Sequence, residues 1–544
     1  MRKRVLISLA LAIAVSLAAV PVMAGETAYE RYDETVVLTT VKRTDPNAKF
    51  PEGDSLDNNV MTRYIKDRIN VETKTVWEVD STEFNNKLSL DIVAGTLPDM
   101  FSLGNDDYLI YRQLLDNGLL ADLTDAYDAN ANWYLRDTAA SFEGRHFAPY
   151  TDDGRLMGIP TGRYGYEHNQ LWLRSDILEA IGMKAEEILT IADIETYLTK
   201  AKEAFPDTLG LALHATDPLT NYASSFSADP IAQVFGATPR YWIEGEDGSI
   251  TYGSLLPGMK DALTVLADWY AKGLIDLEFP TRVGGGLTQA VTTSGQAAAW
   301  FAPWWYGWSI VDLPKNVEGA DVVVVNAPVN DAGEFVAPWP SPAGEVLLVN
   351  KNCEHPEAVV RVMNLEYDMH RGFDEEAAAL YDESRNQNNP TYLDASWTYL
   401  FPTSGVNMEY SNVVPTFSHG IHAFVERGSQ EGLASPSEVT ESIGIGKFID
   451  GDESFEQYRG SYYARYVAGE ITDAANVRFV YPAYSQTTES MADIMPSLLT
   501  LEQQTVLQII LGQKSVDDFD AFTAQWLAEG GQTLTDEISA LLGK

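Results

Sequence analysis

Between Trp300 and Trp308 the chain places Trp300, Phe301, Trp304, Trp305, Tyr306 and Trp308 almost side by side. That is more flat apolar surface than one helix or strand face ordinarily buries, so at least one ring is expected to meet a ligand while the others pack the core. A ligand with apolar ring faces and polar rims, such as an oligosaccharide, needs aromatic platforms flanked by carboxylates, amides and guanidinium groups. Further candidates of those types are Arg43, Asn105 and Asp106, followed by Arg163, Tyr164 and Tyr166, and then Trp339 in the stretch APWPSPAG.

Covalent chemistry finds no such support. There is no Gly-x-Ser-x-Gly and no His-Glu-x-x-His, and Gly444-x-Gly446-Lys447 lacks the earlier glycine and the following Ser or Thr of a phosphate-binding loop. The 7 histidines are scattered, and among 79 carboxylates an acid pair for glycoside hydrolysis is a matter of geometry rather than abundance. No catalytic residue is therefore expected.

The formal net charge of -42 repels nucleic acid and anionic membranes and suits solubility outside a cell. Arg2, Lys3 and Arg4, an apolar run from Val5 to Val20, and small residues at Val22 and Ala24 have the layout of a secretory signal peptide over residues 1–24. Gly25 stands where a lipid-anchored protein would carry cysteine. With Cys353 as the sole cysteine no intrachain disulfide can form, and a core must supply the stability. At 544 residues more than one domain is expected.

The elements that must hold the candidate residues alternate. Thr35 to Val41 predicts a strand, Asn58 to Ile69 a helix with Met61, Ile65 and Ile69 on one face, and Val71 to Val79 a second strand. Ser81 is placed as the cap of a helix carrying Phe84, Leu88 and Ile92, Gly95 ends it, and Asp99 to Leu103 is a third strand. This βαβαβ order opens a doubly wound parallel sheet. Ligands of such sheets sit beyond the carboxyl ends of the strands, which selects Arg43 after the first and Asn105 and Asp106 after the third. Later signals are a hairpin turning at Asp153-Gly154, a strand through Leu171 and Leu173, a helix from Met259 closed at Gly273, strands at Asp321 to Val325 and Glu345 to Val349, and a terminal helix with Phe519, Phe522 and Trp526 on one face.

Local strings then add up in order. AGTLPDMFSLGND, DDGRLMGIP followed by LWLRSDILEAIGMK, WYAKGLID, SGQAAAWFAPWWYGW and EVLLVNKNCEHPEAVVRVMNLEYD each resemble segments of the bacterial extracellular solute-binding proteins of ABC importers, of the carbohydrate-uptake type. The closing stretch from Gln486 to Thr488 through ILGQKSVDDFDAFTAQWLAEGG is similar to the alginate-oligosaccharide-binding branch, a closer likeness than to the maltose-binding one.

The resemblance implies an α/β, two-lobed clamp of the periplasmic-binding-protein type, each lobe a doubly wound sheet flanked by helices. Lobe one is expected from 30–157 and 340–400, lobe two from 158–339 and 401–544. It implies an exported, monomeric protein that captures an oligosaccharide between its lobes and hands it to a permease with its ATPase. Trp304 follows Pro303 as the sugar-stacking Trp follows Pro in the family motif, and Trp305, on a segment read as extended, should point the other way. The acidic calcium loop of the alginate branch is replaced by KEAFPDTLGLALH, so no metal and no cofactor are expected. Other readings are the same clamp holding a peptide or small polar solute, or a secreted glycoside hydrolase.

Overall fold

The computed structural model describes residues 27–44, 50, 52–104, 107–163, 165–220, 223–339, 341–384, 400–403, 409–433 and 435–544. The segment read as a signal peptide lies outside them. Among the described residues no helix is long and apolar enough to cross a membrane.

β1 (Val36–Arg43) and β2 (Val71–Val79) pair in parallel, joined by the helix Val60–Ile69. Asn59 starts that helix: its side chain accepts from the Met61 and Thr62 N–H groups while its own N–H donates to Thr62 Oγ1, a reciprocal cap. Met61, Ile65 and Ile69 form the buried face, as their spacing requires. The next helix, Ser81–Ala94, is capped by Asp80 rather than Ser81, because the Asp80 carboxylate accepts the Thr82 N–H and meets the positive end of the helix. Gly95 ends it at a φ of 69°. β3 (Met100–Leu103) follows, buried throughout. β4 (Thr151–Asp152) and β5 (Arg155–Leu156) form the hairpin expected at Asp153-Gly154, both of which have positive φ. β6 (Ile159–Gly162) then leads out of the lobe.

After Arg163 to Asn169 the chain enters lobe two with β7 (Gln170–Arg174), buried at every position. β8 (Leu211–Ala212) belongs to the same sheet, β9 (Trp242–Glu244) and β10 (Ile250–Tyr252) make a separate hairpin, and β11 (Ala299–Ala302) and β12 (Val322–Val325) complete the sheet in the order β12-β7-β11-β8. The helix Pro257–Ala271 buries Met259, Leu263 and Leu266, and Gly273 follows at a φ of 70°.

β13 (Phe335–Pro338) brings the chain back, and β14 (Ala343–Val349) enters lobe one between β3 and β6, antiparallel to both. The sheets are therefore mixed rather than wholly parallel. The reason is the joint: β14 starts beside Gly162, where β6 leaves, so it must run in the opposite sense. A last excursion carries the helices Val413–Arg427 and Pro436–Ile449 over lobe two, and β15 (Val477–Val480) pairs in parallel with β13. The helices Glu489–Ile510 and Asp518–Trp526 then close the lobe-two core, where Val506, Ile509, Phe519, Phe522 and Trp526 join Leu263 and Leu266. Lobe one has its own core of Leu38, Ile65, Val71, Leu347 and Val359, to which Ile159 and Phe401 also belong.

Candidate functional site

A cavity of about 710 Å³ lies at the joint where the crossing segments leave lobe one. Tyr108 and Arg112, on the helix that follows β3, form part of its lobe-one wall together with Phe142, Glu143 and Arg145. The joint contributes Tyr166, Trp339, Phe479 and Tyr481, and Tyr484 and Gln486 continue the lining beyond them.

The β13/β15 pairing builds the aromatic part. Trp339 N–H donates to the Val480 carbonyl at 2.7 Å, which sets its indole beside the rings of the neighbouring strand. Ring centroids of Trp339 and Phe479 are 4.8 Å apart, those of Tyr166 with Trp339 and with Phe479 both 5.1 Å, all near edge-to-face. Gly165 makes room for this cluster: a Cβ there would come within 2.3 Å of the Trp339 ring. Tyr481 lies 5.6 Å from Trp339 and carries the Arg145 guanidinium 4.9 Å from its own centroid. Burial pushes the phenols of Tyr108 and Tyr166 up, and that of Tyr484 up to about 12 with help from Tyr108, so at neutral pH all three keep a proton to donate. Ser141, Ser341, Ser411 and Gln486 add hydroxyl and amide groups.

Of the residues singled out from sequence, Tyr166 and Trp339 line this cavity. Asn105, Asp106 and Tyr164 lie outside the described residues. Arg163 stands beside Tyr166, its N–H donating to the Pro342 carbonyl at 2.8 Å. Its guanidinium draws the Glu167 carboxyl down against a larger upward push from burial. Arg43 is the last residue of β1, half-buried, with its guanidinium 3.8 Å from the Phe84 centroid, 3.4 Å from Asp107 and 3.8 Å from Glu345. Its neighbour Lys42 is buried and donates to the Phe401 carbonyl.

The tryptophan cluster is arranged differently from its reading as an extended segment. β11 ends at Ala302, Pro303 follows, and Trp304 to Trp308 form a short 3-10 turn closed by the Tyr306 N–H on the Pro303 carbonyl. Neighbouring side chains therefore splay around a turn instead of alternating. Trp300 is 0% exposed and stacked on Trp172, which leaves it no face for a ligand. Trp304 is 4% exposed, edge-on to Trp308 and under the Arg465 guanidinium. Trp305 is half-buried against the same core cluster, and Trp308 is 41% exposed with its indole N–H on Ser461 Oγ. Arg465 and Ser461, which cover this turn, come from far along the sequence.

Phe142, Arg145 and the run from Phe479 to Tyr484 were not among the sequence candidates. The signal for the run was present, since FVYPAY is aromatic at three of its six positions and interrupted by proline, which suits neither a helix face nor a central strand.

Two α/β lobes with an aromatic, donor-rich cavity set into the joint between them define a solute-binding clamp. The chain belongs to the bacterial extracellular solute-binding proteins, whose family model matches residues 59–359. No curated protein matches it by sequence. In fold it is similar to the alginate-binding protein AlgQ2 without calcium ion, at 14% identity and a TM-score of 0.55, covering 95% of this chain and 100% of that one. The S. pneumoniae ABC-transporter substrate binding protein FusA in complex with kestose is similar at 14% identity and 0.56, covering 93% and 99%. So is an HMO-binding, ABC-transporter-associated solute-binding protein from Bifidobacterium longum infantis, at 12% identity and 0.58, covering 94% and 99%.

Proposed function

We propose that this protein captures an oligosaccharide in the cavity between its lobes and presents it to the permease and ATPase of an ABC importer. The observation that carries the reading is the Tyr166, Trp339, Phe479 and Tyr481 cluster, in which aromatic surface and hydrogen-bonding groups line one cavity at the joint. The alginate-binding protein and the kestose complex of like fold support the choice of cargo. Among the described residues lining the cavity Glu143 is the single carboxylate, and it is paired with Arg145. Glycoside hydrolysis needs two carboxyl groups facing one bond, so the cavity is read as a binding site and not a hydrolytic one.

Isothermal calorimetry against a panel of oligosaccharides, followed by mass analysis of the recovered ligand, tests the proposal. One ligand bound per protein and returned unchanged is the expected result. Binding by peptides alone would reassign the cargo, and a cleaved product would overturn the binding-only reading.

A further inference from the structure

A buried carboxyl ties the segment that leaves lobe one to a helix lying on the strand that returns. Asp229, 2% exposed, opens the helix Asp229–Val234, which packs against β13. Its Oδ1 accepts from Asn169 Nδ2 at 2.5 Å, and Asn169, itself buried, is the last residue of the outgoing crossing before β7 begins. The same amide reaches the Ser227 carbonyl at 3.3 Å. One residue earlier the His168 ring lies 5.3 Å from that of Phe335 on β13 and 6.2 Å from that of Phe479 on β15. The contact between Asp229 and Asn169 therefore sits where the outgoing crossing, the returning strand and β15 come together.

This carboxyl is poorly provided for as an anion. Among the described residues its buried Oδ2 has no hydrogen-bond partner, and an oxygen so placed is costly when charged. The titratable groups around it do not supply a counter-charge. Arg163, the cation on the outgoing crossing, acts on the Glu167 carboxyl and the Tyr241 phenol. Burial pushes both Glu167 and Tyr241 up, Asp229 adds to the push on Tyr241, and burial holds His168 neutral down to about 4. β13 and the helix Asp229–Val234 bring no further charged side chain. Burial accordingly raises the Asp229 carboxyl to about 7, over hydrogen bonds from Asn169 and Ser227 that lower it.

Resting on the reading of the molecule as a clamp that closes on its ligand, we propose that this contact is a proton-sensitive latch in the joint. With its proton, Asp229 holds the outgoing crossing against the helix Asp229–Val234, and loss of the proton loosens the joint toward an open arrangement that binds more weakly. Ionised in place, the carboxylate keeps an unsolvated oxygen; parting the segments lets water reach it. A group raised by burial in the closed form favours that form while it is protonated and stops doing so as pH rises through its pKa. Capture is then strongest in mildly acid surroundings, and release is favoured as pH rises through 7.

Small-angle scattering of the ligand-free protein at about pH 6 and about pH 8, in equal salt, is the test. Wild type should have the larger radius of gyration at the higher pH. Asp229→Asn, which keeps the shape and cannot ionise, should hold the smaller value at both, whereas Asn169→Ala, which removes the tie, should show the larger value at both. Asp368→Asn is the control. Its carboxyl is also raised by burial to about 7, but it meets Tyr29 from the lobe-one helix Pro356–Arg371, so this variant should keep the wild-type response. An unchanging wild-type radius, a change that survives in Asp229→Asn, or one abolished by Asp368→Asn would overturn the latch. If Asp229→Asn does not fold, Asn169→Ala decides in its place, and a wild-type response there overturns the latch as well. Affinity is the second readout. Calorimetry with an oligosaccharide that binds should show about tenfold weaker binding by wild type at the higher pH and no more than about a twofold change in Asp229→Asn. Equal wild-type affinity at the two pH values would count against the latch and leave the cargo reading standing. Failure of every saccharide to bind would remove the cargo reading, and the scattering would then decide the latch by itself.

Discussion

Trp339 and Trp304 carry the same side chain next to a proline, and their surroundings assign them different work. Trp339 lines the cavity with its ring against Tyr166, Phe479 and Tyr481, whereas Trp304 is covered by Arg465 and Trp308. Trp339→Ala should therefore cost roughly 2 kcal/mol of binding, about thirtyfold in affinity, as a central aromatic anchor does. Trp304→Ala should instead cost about 3 to 5 kcal/mol of folding, since the lost transfer energy and the cavity left behind add. Denaturant titration and calorimetry on both variants would decide it. A Trp304→Ala protein with unchanged stability and lost affinity would return that residue to the binding surface.

At the scale of elements, the joint depends on a contact between a residue with no side chain and one of the largest. Gly165 has no Cβ, and that gap is what lets the Trp339 indole lie across the segment between β6 and β7. Gly165→Ala adds one methyl at a position outside the cavity lining, and because the clash is with a ring rather than a flexible chain end the ring must move. Weakened binding with a melting temperature lowered by only a few degrees is expected. Wild-type affinity in this variant would show that the ring's seat does not matter. The crossing segments also meet in backbone pairing between β13 and β15, and β14 follows within a few residues. A ligand touching Trp339 therefore touches a segment by which the chain crosses between the lobes. Ligand should shift the population toward a closed arrangement through its higher affinity for that state. Small-angle scattering at saturating ligand should show a smaller radius of gyration, and an unchanged profile would count against a moving clamp.

For the whole molecule, pH links buried titratable groups to a heavily acidic surface. Burial raises the carboxyls of Asp229 and Asp368 to about 7, so each contributes stability that is present at acid pH and lost as pH rises through 7. Burial lowers His146 and His168 to about 4, so each contributes stability present above the ordinary histidine range and lost as pH falls toward 4. His146 lies between Phe142 and Phe147, and His168 close to Phe335 and Phe479, surroundings that offer the imidazolium no counter-charge. With a net charge of -42 adding self-repulsion at high pH, the melting temperature should rise from pH 8 to about 6 and then level off as the histidines oppose the carboxyls. His168→Phe should continue to rise below pH 6, and Asp229→Asn should flatten the limb between 8 and 6. Parallel melting curves for wild type and both variants across pH 4 to 8 would refute the assignment.

What the sequence determined by itself is what depends on near neighbours along the chain. Period and capping placed β1, the helix Val60–Ile69, β2 and the helix from Ser81, with the cap displaced by one residue to Asp80, because side-chain spacing and cap chemistry act within a turn or two. The Asp153-Gly154 turn and the terminal helix face of Phe519, Phe522 and Trp526 were legible for the same reason. Composition and ordered motifs pointed to an extracellular binding protein, and Tyr166 and Trp339 to the crossings. The tertiary structure alone decided which aromatic residues face a cavity. Trp300 is buried because β11 lies between β7 and β8, Trp304 because a segment some 160 residues later supplies Arg465, and Arg145 meets Tyr481 across more than 300 positions. The antiparallel entry of β14 follows from the chain's return through the joint. Burial is set by what arrives from elsewhere in the chain, and no local pattern around an aromatic residue records which distant surface will cover it.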